Sequence, residues 1–300
     1  MKILFSNCNF TSSSGPNGFG NKLAVELQKL NHQIVQDKPD IQLAFIESPK
    51  IAPMVLRLDG IWFRTNIDYR ANNEPIKRSY DEADAVIFQS NFNRALSTKF
   101  FGAKKNNFVI SNGTDLEAIE KIPPFNHKDL DKFENVWITA SSWRRNKRLK
   151  ENINYFITHA SIKDCMIIAG ENPDHDIQHP RVFFIGQKSW GELISLYKRS
   201  KYFVFLSYLD HCPNVVVDAR ACGCELIISS SGGTKEICGS KATIVIEDDW
   251  NFSPCDFEPP YLDFSRKLTI NKKIDNNQID IKNVAKKYID VFESVLKGIP

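Results

Sequence analysis

Short apolar runs alternate with amphipathic stretches along the first 120 residues of the chain. The apolar runs predict buried strands at residues 2–6, 41–46, 54–58, 85–90 and 107–111. Between them, apolar residues repeat at helical spacing and predict helices at residues 21–30, 75–83 and 91–100. Strands that alternate with helices form βαβ units, so the pattern indicates an α/β domain on a mostly parallel sheet.

The same alternation restarts after a polar stretch with a Pro pair at residues 121–134, which reads as a linker. Strands are predicted at residues 136–141, 165–170, 181–186, 202–207, 225–229 and 242–247. Helices are predicted at residues 147–159, 190–199 and 215–222, with a last amphipathic helix at 281–297. We therefore predict an α/β protein with two Rossmann-like domains, at residues 1–120 and 135–280, whose parallel sheets face a central cleft.

Composition and charge exclude several classes of protein. The chain of 300 residues is 42% hydrophobic and 25% charged, which is typical of globular proteins. The net charge of only +3 argues against a nucleic-acid binder, and seven scattered cysteines without a CxxC pair argue against a disulfide framework. No apolar run approaches the ~18–20 residues that span a bilayer, and the start lacks a signal-peptide core, so we expect a cytoplasmic protein.

Residues 209–223, with the sequence LDHCPNVVVDARACG, carry the clearest candidate chemistry. Asp210 ends a predicted strand, a turn follows, and Asp218 lies in the first turns of the next predicted helix. Backbone N–H groups at a helix start bind anions, and carboxylates accept hydroxyl hydrogens, so the pattern suits a ligand with phosphate and hydroxyl groups. The alternative is that Asp210 caps the helix and Asp218 only stabilises its dipole.

This segment resembles the E-x7-E segment of the retaining GT-B glycosyltransferases, which use nucleotide sugars. The resemblance extends in order over residues 1–240, through pieces that include VIFQSNFNR, VISNGTD, WITASSWRRNKRLKENI, IIAGENP, VFFIGQKSW and SSSGGTKEI. It implies a GT-B fold. Several matching pieces in order are far more specific than one motif.

The resemblance assigns roles to particular residues. It implies that Asp210 contacts the donor sugar and that Asp218 holds the ribose, although both are Glu in most of the family. Lys147 matches the diphosphate-binding Lys, whereas the usual Arg position is Ser141. The remaining implied donor contacts are Arg144 or Arg145 as substitutes for that Arg, Gly186, and the turn and helix start at His211, Cys212, Pro213, Asn214 and Val215. A solvated basic face is the alternative for the arginines.

Two further candidates lie in the first domain. The glycine-bearing segment 12–20 is predicted to be a loop in which Gly18 approaches the donor, and a plain flexible loop is the alternative. Asp59 follows a predicted strand and is a candidate sugar or acceptor contact, with a structural Arg57–Asp59 pair as the alternative. We predict Asp210, Asp59 and Lys147 as the catalytic residues.

Two patterns could suggest a metal but are interpreted otherwise. The Asp174–His175–Asp176 string lies in a polar loop, and the four cysteines at 212, 222, 224 and 238 lack the spacing of zinc fingers. We predict no metal and no cofactor beyond the substrate, which is a UDP- or GDP-linked sugar.

The predicted function is retaining, metal-independent transfer of a sugar from a nucleoside-diphosphate sugar to a hydroxyl of a glycan, lipid or other acceptor. Peripheral membrane association fits a lipid-linked acceptor, and no nucleic-acid partner is expected. The alternatives are a non-catalytic nucleotide- or glycan-binding protein, suggested by the two Asp residues, a GT-B nucleotide-sugar epimerase, and a nucleic-acid-directed glucosyltransferase, against which the weak net charge argues.

Overall fold

The computed structural model describes residues 1–12, 15–171, 173, 177–272 and 275–298. The chain divides into two compact units. The first unit comprises Met1–Asp115, Asn251–Asp256 and Asn277–Pro300, and the second comprises Leu116–Trp250 and Phe257–Asn276. Each unit is built on a sheet that consists mainly of parallel strands.

Most elements lie where the hydrophobic pattern predicts them. In chain order the strands are β1 (Lys2–Ser6), β2 (Gln33–Ile34), β3 (Ile41–Phe45), β4 (Met54–Leu58), β5 (Ala85–Phe88), β6 (Asn107–Val109), β7 (Val136–Ala140), β8 (Cys165–Ala169), β9 (Val182–Gly186), β10 (Tyr202–Phe205), β11 (Glu225–Ser229), β12 (Lys241–Val245) and β13 (Lys267–Asn271). The α-helices are α1 (Gly15–Lys29), α2 (Tyr69–Glu82), α3 (Asn91–Phe101), α4 (Leu116–Lys121), α5 (Leu149–His159), α6 (Trp190–Arg199), α7 (Asn214–Ala221), α8 (Thr234–Ile237) and α9 (Ile281–Leu296).

The first unit contains a parallel six-stranded sheet in the order β2-β1-β3-β4-β5-β6. Its central strands β3, β4 and β5 are fully buried, as expected for a parallel sheet covered by helices. The last helix, α9, belongs to this unit rather than standing apart after residue 280, because its apolar stripe packs into the same core as β1 and α1. Tyr288 of α9, for example, packs against Phe19 of α1, with ring centroids 6.0 Å apart.

The second unit contains a seven-stranded sheet in the order β13-β12-β11-β10-β7-β8-β9. All neighbouring pairs are parallel except β12 and β13. The strand order reverses between β7 and β10, and open α/β sheets bind ligands beyond the carboxyl ends of the strands at such a point. The topology therefore predicts a ligand site at the loops after β7 and β10.

The predicted linker at residues 121–134 is not a separate segment. The units divide between Asp115 and Leu116, and the stretch that follows is bound to α6 of the second unit. The Phe125 amide donates to the Ser195 carbonyl oxygen at 2.8 Å, and Lys198 Nζ donates to the Ile122 carbonyl oxygen at 2.6 Å. Backbone groups of this stretch have hydrogen-bond partners on α6, and amino-acid composition does not reveal such partners.

The glycine-bearing stretch 12–20 was predicted to be a loop, but α1 already begins at Gly15. Pro16 is tolerated there because a proline in the first turn has no N–H to leave unpaired. Gly20 is required by packing, because a Cβ at this position would lie 2.5 Å from Cys8 Sγ. Gly18 is therefore a helix residue and not part of a flexible loop.

The structure also contains elements that the pattern did not predict, namely β2, α4, α8 and β13. Each is short or, in β13, largely exposed, so its hydrophobic signal is weak. Within the described residues, no helix is both long enough and apolar enough to cross a membrane.

Candidate active site

Two of the predicted donor residues, Lys147 and Asp210, meet at the reversal of the strand order in the second unit. Lys147 lies in the short 3-10 turn Arg145–Lys147 after β7, and Asp210 lies in the loop after β10. β7 and β10 are neighbouring parallel strands, so their carboxyl ends lie at the same edge of the sheet. The fold thus brings together two residues that are 63 positions apart in the sequence.

Lys147 and Asp210 form an ion pair between Nζ and Oδ2. The Ser207 hydroxyl donates to the same oxygen at 3.1 Å, and the His211 amide donates to Oδ1 at 3.1 Å. The two side chains of the pair are only 20% and 15% exposed. Burial opposes ionisation of Asp210, but the Lys147 ammonium and the donated hydrogen bonds outweigh it and lower the pKa of this carboxyl. Asp210 is therefore a carboxylate at neutral pH.

The glycine pair after β11 holds the backbone of Asp210. The Gly233 amide donates to the Asp210 carbonyl oxygen at 2.7 Å, and the Leu209 amide donates to Ser231 Oγ at 3.0 Å. Gly232 has a φ of +72°, and a Cβ there would lie 2.4 Å from the Asp210 carbonyl oxygen. Only glycine fits this close approach, which explains the SSGGT sequence and fixes the direction of Asp210.

The turn after Asp210 leads into α7, which begins at Asn214. Its N-cap residue is Pro213, which has no side-chain oxygen to accept from the first-turn amides. Cys212 and Pro213 are buried, whereas Asn214 and Val215 are partly exposed. A helix N-terminus carries a partial positive charge, so binding of an anion at this helix start stays a prediction.

His211 is a neutral base in this turn. Burial lowers its pKa to about 4, although the neighbouring Asp210 carboxylate opposes that shift. The imidazole is therefore uncharged at neutral pH and adds no positive charge for a diphosphate.

Asp218, the predicted ribose ligand, is buried and only 5% exposed. Trp190 at the start of α6 donates its indole N–H to Asp218 Oδ2 at 3.1 Å. Sequence reasoning did not identify Trp190 as a partner, because α6 and α7 are separated by β10 in the chain. If a ribose binds Asp218, the carboxylate accepts hydrogen bonds from both the ribose and the Trp190 indole.

The two candidate arginines lie beside a groove of about 840 Å³ in the second unit. Arg144 is exposed, and Arg145, which is 75% exposed, forms an ion pair with Glu258. Neither Lys147 nor Asp210 lines this groove. Gly186, at the end of β9, is exposed with a φ of +69°. The structure therefore places Lys147, rather than the arginines, in contact with Asp210.

Arg148 lies in the same basic stretch of sequence as Arg144 and Arg145 but is fully buried. Its guanidinium binds both carboxylate oxygens of Glu247, at 2.8 and 2.7 Å. The sequence offers no direct signal for this pair, because its members are 99 positions apart.

The first-unit candidate Asp59 is held in a buried polar cluster. Arg57 and Gln89 both donate to Asp59 Oδ1, and Arg57 also donates to Asn112 Oδ1 at 2.7 Å. The Arg57 side chain is fully buried beneath the Phe19 ring, with its guanidinium carbon 4.3 Å from the ring centroid. This is the Arg57–Asp59 pair that the sequence analysis kept as an alternative. Gln89 and Asn112 were not identified, although Gln89 lies near the end of the strand predicted at residues 85–90 and Asn112 follows the strand predicted at residues 107–111.

No cluster of three or more His, Cys, Asp or Glu side chains suited to a metal occurs within the described residues. The Asp174–His175–Asp176 string lies outside those residues. Cys224 and Cys238 are buried, and their thiols contact carbonyl oxygens of Tyr197 and Lys235. Burial raises the pKa of the Cys222 thiol to about 12, so it is protonated at neutral pH.

A family model matches part of the second unit. Residues 175–251 match the family model described as glycosyl transferases group 1. A search of curated proteins finds no significant match.

Three similar solved structures align over nearly the full length of the chain. Anabaena Alr3699/HepE in complex with UDP is 13% identical, with a TM-score of 0.67 over 98% of this chain and 100% of that one. Sucrose-phosphate synthase from Thermosynechococcus elongatus is 13% identical, with a TM-score of 0.64 over 100% and 97%. AviGT4, a glycosyltransferase involved in avilamycin A biosynthesis, is 12% identical, with a TM-score of 0.61 over 99% and 98%. Over residues 175–251 the chain is therefore similar to the glycosyl transferases of group 1, and over nearly its full length it has the GT-B fold of these structures.

Proposed function

We propose that this protein transfers a sugar from a nucleoside-diphosphate sugar to a hydroxyl group, with retention of configuration and without a metal ion. The observation that carries the proposal is the Lys147–Asp210 pair at the start of α7, where the strand order of the second sheet reverses. The pair offers one cation for a diphosphate and one carboxylate for sugar hydroxyls, side by side.

The first step of the proposed reaction is donor binding. The diphosphate takes its charge neutralisation from Lys147 and from the amides of the first turn of α7, and Asp210 accepts hydrogen bonds from sugar hydroxyls. Lys147 has three N–H groups, so it can bind phosphate and still donate to Asp210. Arg144 and Arg145 are further candidates for the diphosphate because they are exposed on the same strand exit.

Departure of the nucleoside diphosphate leaves negative charge on its terminal phosphate. In the proposed reaction Lys147 and the helix start stabilise that charge, which is the role that a divalent metal has in metal-dependent transferases. We name no protein nucleophile. Retention is proposed from the resemblance of residues 210–218 to retaining enzymes, and the departing phosphate is the proposed base for the acceptor hydroxyl.

The donor is proposed to be a UDP-sugar. The support comes from the similar Alr3699/HepE structures, which contain UDP-glucose, UDP, and UDP with glucose. A GDP-linked sugar is the second choice. Asp59 and Gly18 of the first unit remain candidate sugar or acceptor contacts, and the acceptor is proposed to be a glycan or lipid-linked hydroxyl compound.

A ligand screen followed by a transfer assay tests the proposal. UDP, GDP and ADP, and then the sugars of whichever nucleotide binds, are added while the melting temperature is recorded, because a ligand that binds only the folded state raises it. Release of nucleoside diphosphate is then measured with glycan and lipid acceptors, with and without EDTA, and NMR of the product reports the anomeric configuration. Tight nucleotide binding without turnover on any acceptor would favour the binding-protein alternative. Conversion of the donor sugar without an acceptor would favour the epimerase.

A further inference from the structure

Arg148 occupies an unusual backbone position next to the site. It has φ and ψ of 52° and 51°, the left-handed region that residues with a Cβ seldom adopt. It ends the 3-10 turn that carries Lys147 and immediately precedes α5. Local propensity does not favour an arginine there, so its side-chain contacts must hold the turn in this conformation.

The Arg148 side chain joins three segments of the second unit. Its guanidinium forms two hydrogen bonds to the Glu247 carboxylate, which follows β12. It also donates to the Leu206 carbonyl oxygen at 3.2 Å and to the Pro260 carbonyl oxygen at 2.8 Å. The Arg148 and Glu247 side chains are 0% and 3% exposed, so contacts within the protein, rather than water, compensate their charges; these contacts include the Tyr208 ring, whose centroid lies 5.2 Å from the guanidinium carbon.

These contacts hold the two sides of the Lys147–Asp210 pair. Arg148 is the next residue after Lys147, and Leu206 immediately precedes Ser207, whose hydroxyl donates to Asp210. Asn152 reinforces the connection: its Nδ2 donates to the Lys147 carbonyl oxygen at 2.9 Å, and its Oδ1 accepts from the Leu206 amide at 2.9 Å.

We propose that Arg148 and Glu247 are positioning residues of the donor site: their buried ion pair fixes the turn that holds Lys147 against Asp210. The inference deepens the proposed function and rests on it only for the identity of the ligand. Neither residue touches the donor in this proposal. Loss of the pair releases the turn after β7, so the Lys147 ammonium is no longer held beside the carboxylate.

The test compares Glu247→Gln with Arg148→Lys, which keeps a positive charge but loses the planar fork that binds a carboxylate with two hydrogen bonds. Arg181→Lys is the matched control. Arg181 also donates to two carbonyl oxygens, those of Ser161 and Asp164. It precedes β9, so it lies at the amino ends of the strands, whereas Lys147 and Asp210 lie at the carboxyl ends. All proteins are measured well below their melting temperatures.

The first readout needs no nucleotide. Each protein is briefly acetylated with an N-hydroxysuccinimide ester, and modification of Lys147 relative to the exposed Lys287 of α9 is measured by peptide mass spectrometry after cleavage at Glu. We expect Lys147 to be modified several-fold faster in Glu247→Gln and Arg148→Lys, and at the wild-type rate in Arg181→Lys. An unchanged Lys147 rate in a folded variant, or an equal increase in Arg181→Lys, would overturn the inference.

The second readout is the dissociation constant for UDP by calorimetry. We expect Glu247→Gln to weaken binding about tenfold in the wild type and hardly at all when Lys147 is already Met, because a residue that acts through Lys147 has nothing left to position. If Glu247→Gln weakened UDP binding equally in the wild type and in the Lys147→Met protein, Arg148 and Glu247 would have only a structural role. If the wild type binds no nucleotide, the proposed function fails while the labelling result still decides the positioning role.

Discussion

Replacing Lys147 by Met removes the charge from the site while keeping most of the side-chain volume. The unbranched Met side chain can fill the space of the lysine stem, so the cavity term is small. Asp210 is left 15% exposed with the Ser207 hydroxyl and the His211 amide as its remaining donors. The variant therefore isolates the value of the ammonium.

The magnitude follows from the burial of the pair. Breaking a fully buried ion pair costs about 3–5 kcal/mol, and the residual exposure of both partners reduces this to about 2 kcal/mol. A loss of that size shifts the urea midpoint of the second unit by about 1 M. The same change removes a charge-assisted hydrogen bond to the proposed diphosphate, so UDP binding should weaken about thirtyfold.

The dependence on pH gives the sharper test. In the wild type the lowered pKa of Asp210 makes it stabilising above the pKa of the unfolded chain, and that stabilisation is lost as pH falls through the folded-state value. Without Lys147, burial raises the pKa of Asp210, and the carboxylate destabilises the variant at neutral pH. The difference in unfolding free energy should therefore be largest near pH 7 and shrink as the solution becomes acidic.

Urea unfolding monitored by circular dichroism from pH 7 down to about pH 3, below the ordinary pKa of an aspartate, measures this difference, with Lys163→Met as the control. Lys163 forms an ion pair with Glu134, but its side chain is 66% exposed, so its loss should change stability little. A stability loss in Lys147→Met that does not vary with pH, or that matches the control, would refute the assignment of a buried, charge-compensated Asp210.

Four further variants test other parts of the structure. Asp210→Asn keeps the shape of the side chain but removes its charge. UDP should bind at least as tightly, measured by calorimetry, while sugar transfer should fall by about a hundredfold in a transfer assay. An equal loss of binding and transfer would contradict the sugar-contact role. Asp218→Ala should weaken UDP binding, and unchanged binding would exclude the ribose contact. Gly170→Ala should prevent folding or strongly destabilise the second unit, because its φ is +117° and a Cβ would lie 1.7 Å from the Ser141 carbonyl oxygen. Gly191→Ala, where a Cβ meets nothing within 4 Å in a helix, should instead be neutral or stabilising by about 0.5–1 kcal/mol, and thermal melts compare the two.

The sequence alone predicts the class of fold. A buried parallel strand needs an apolar run and its crossover helix needs an apolar stripe, so both leave a local signal. β1, β4 and β11 have the predicted bounds, as does α6, whose Ser189 capping box is visible in the sequence. The family resemblance was likewise carried by local segments, and the group 1 match confirms it.

Tertiary structure alone decided the partners of the charged residues. Lys147 and Arg148 are adjacent in one basic stretch, yet Lys147 pairs with Asp210 at the site and Arg148 is buried against Glu247. Asp218 shares its carboxylate with Trp190. α9 joins the first unit after the chain has completed the second. Hydrophobic periodicity is a property of neighbours in sequence, whereas an ion pair depends on strands that are neighbours only in the sheet, and so no local pattern contains it.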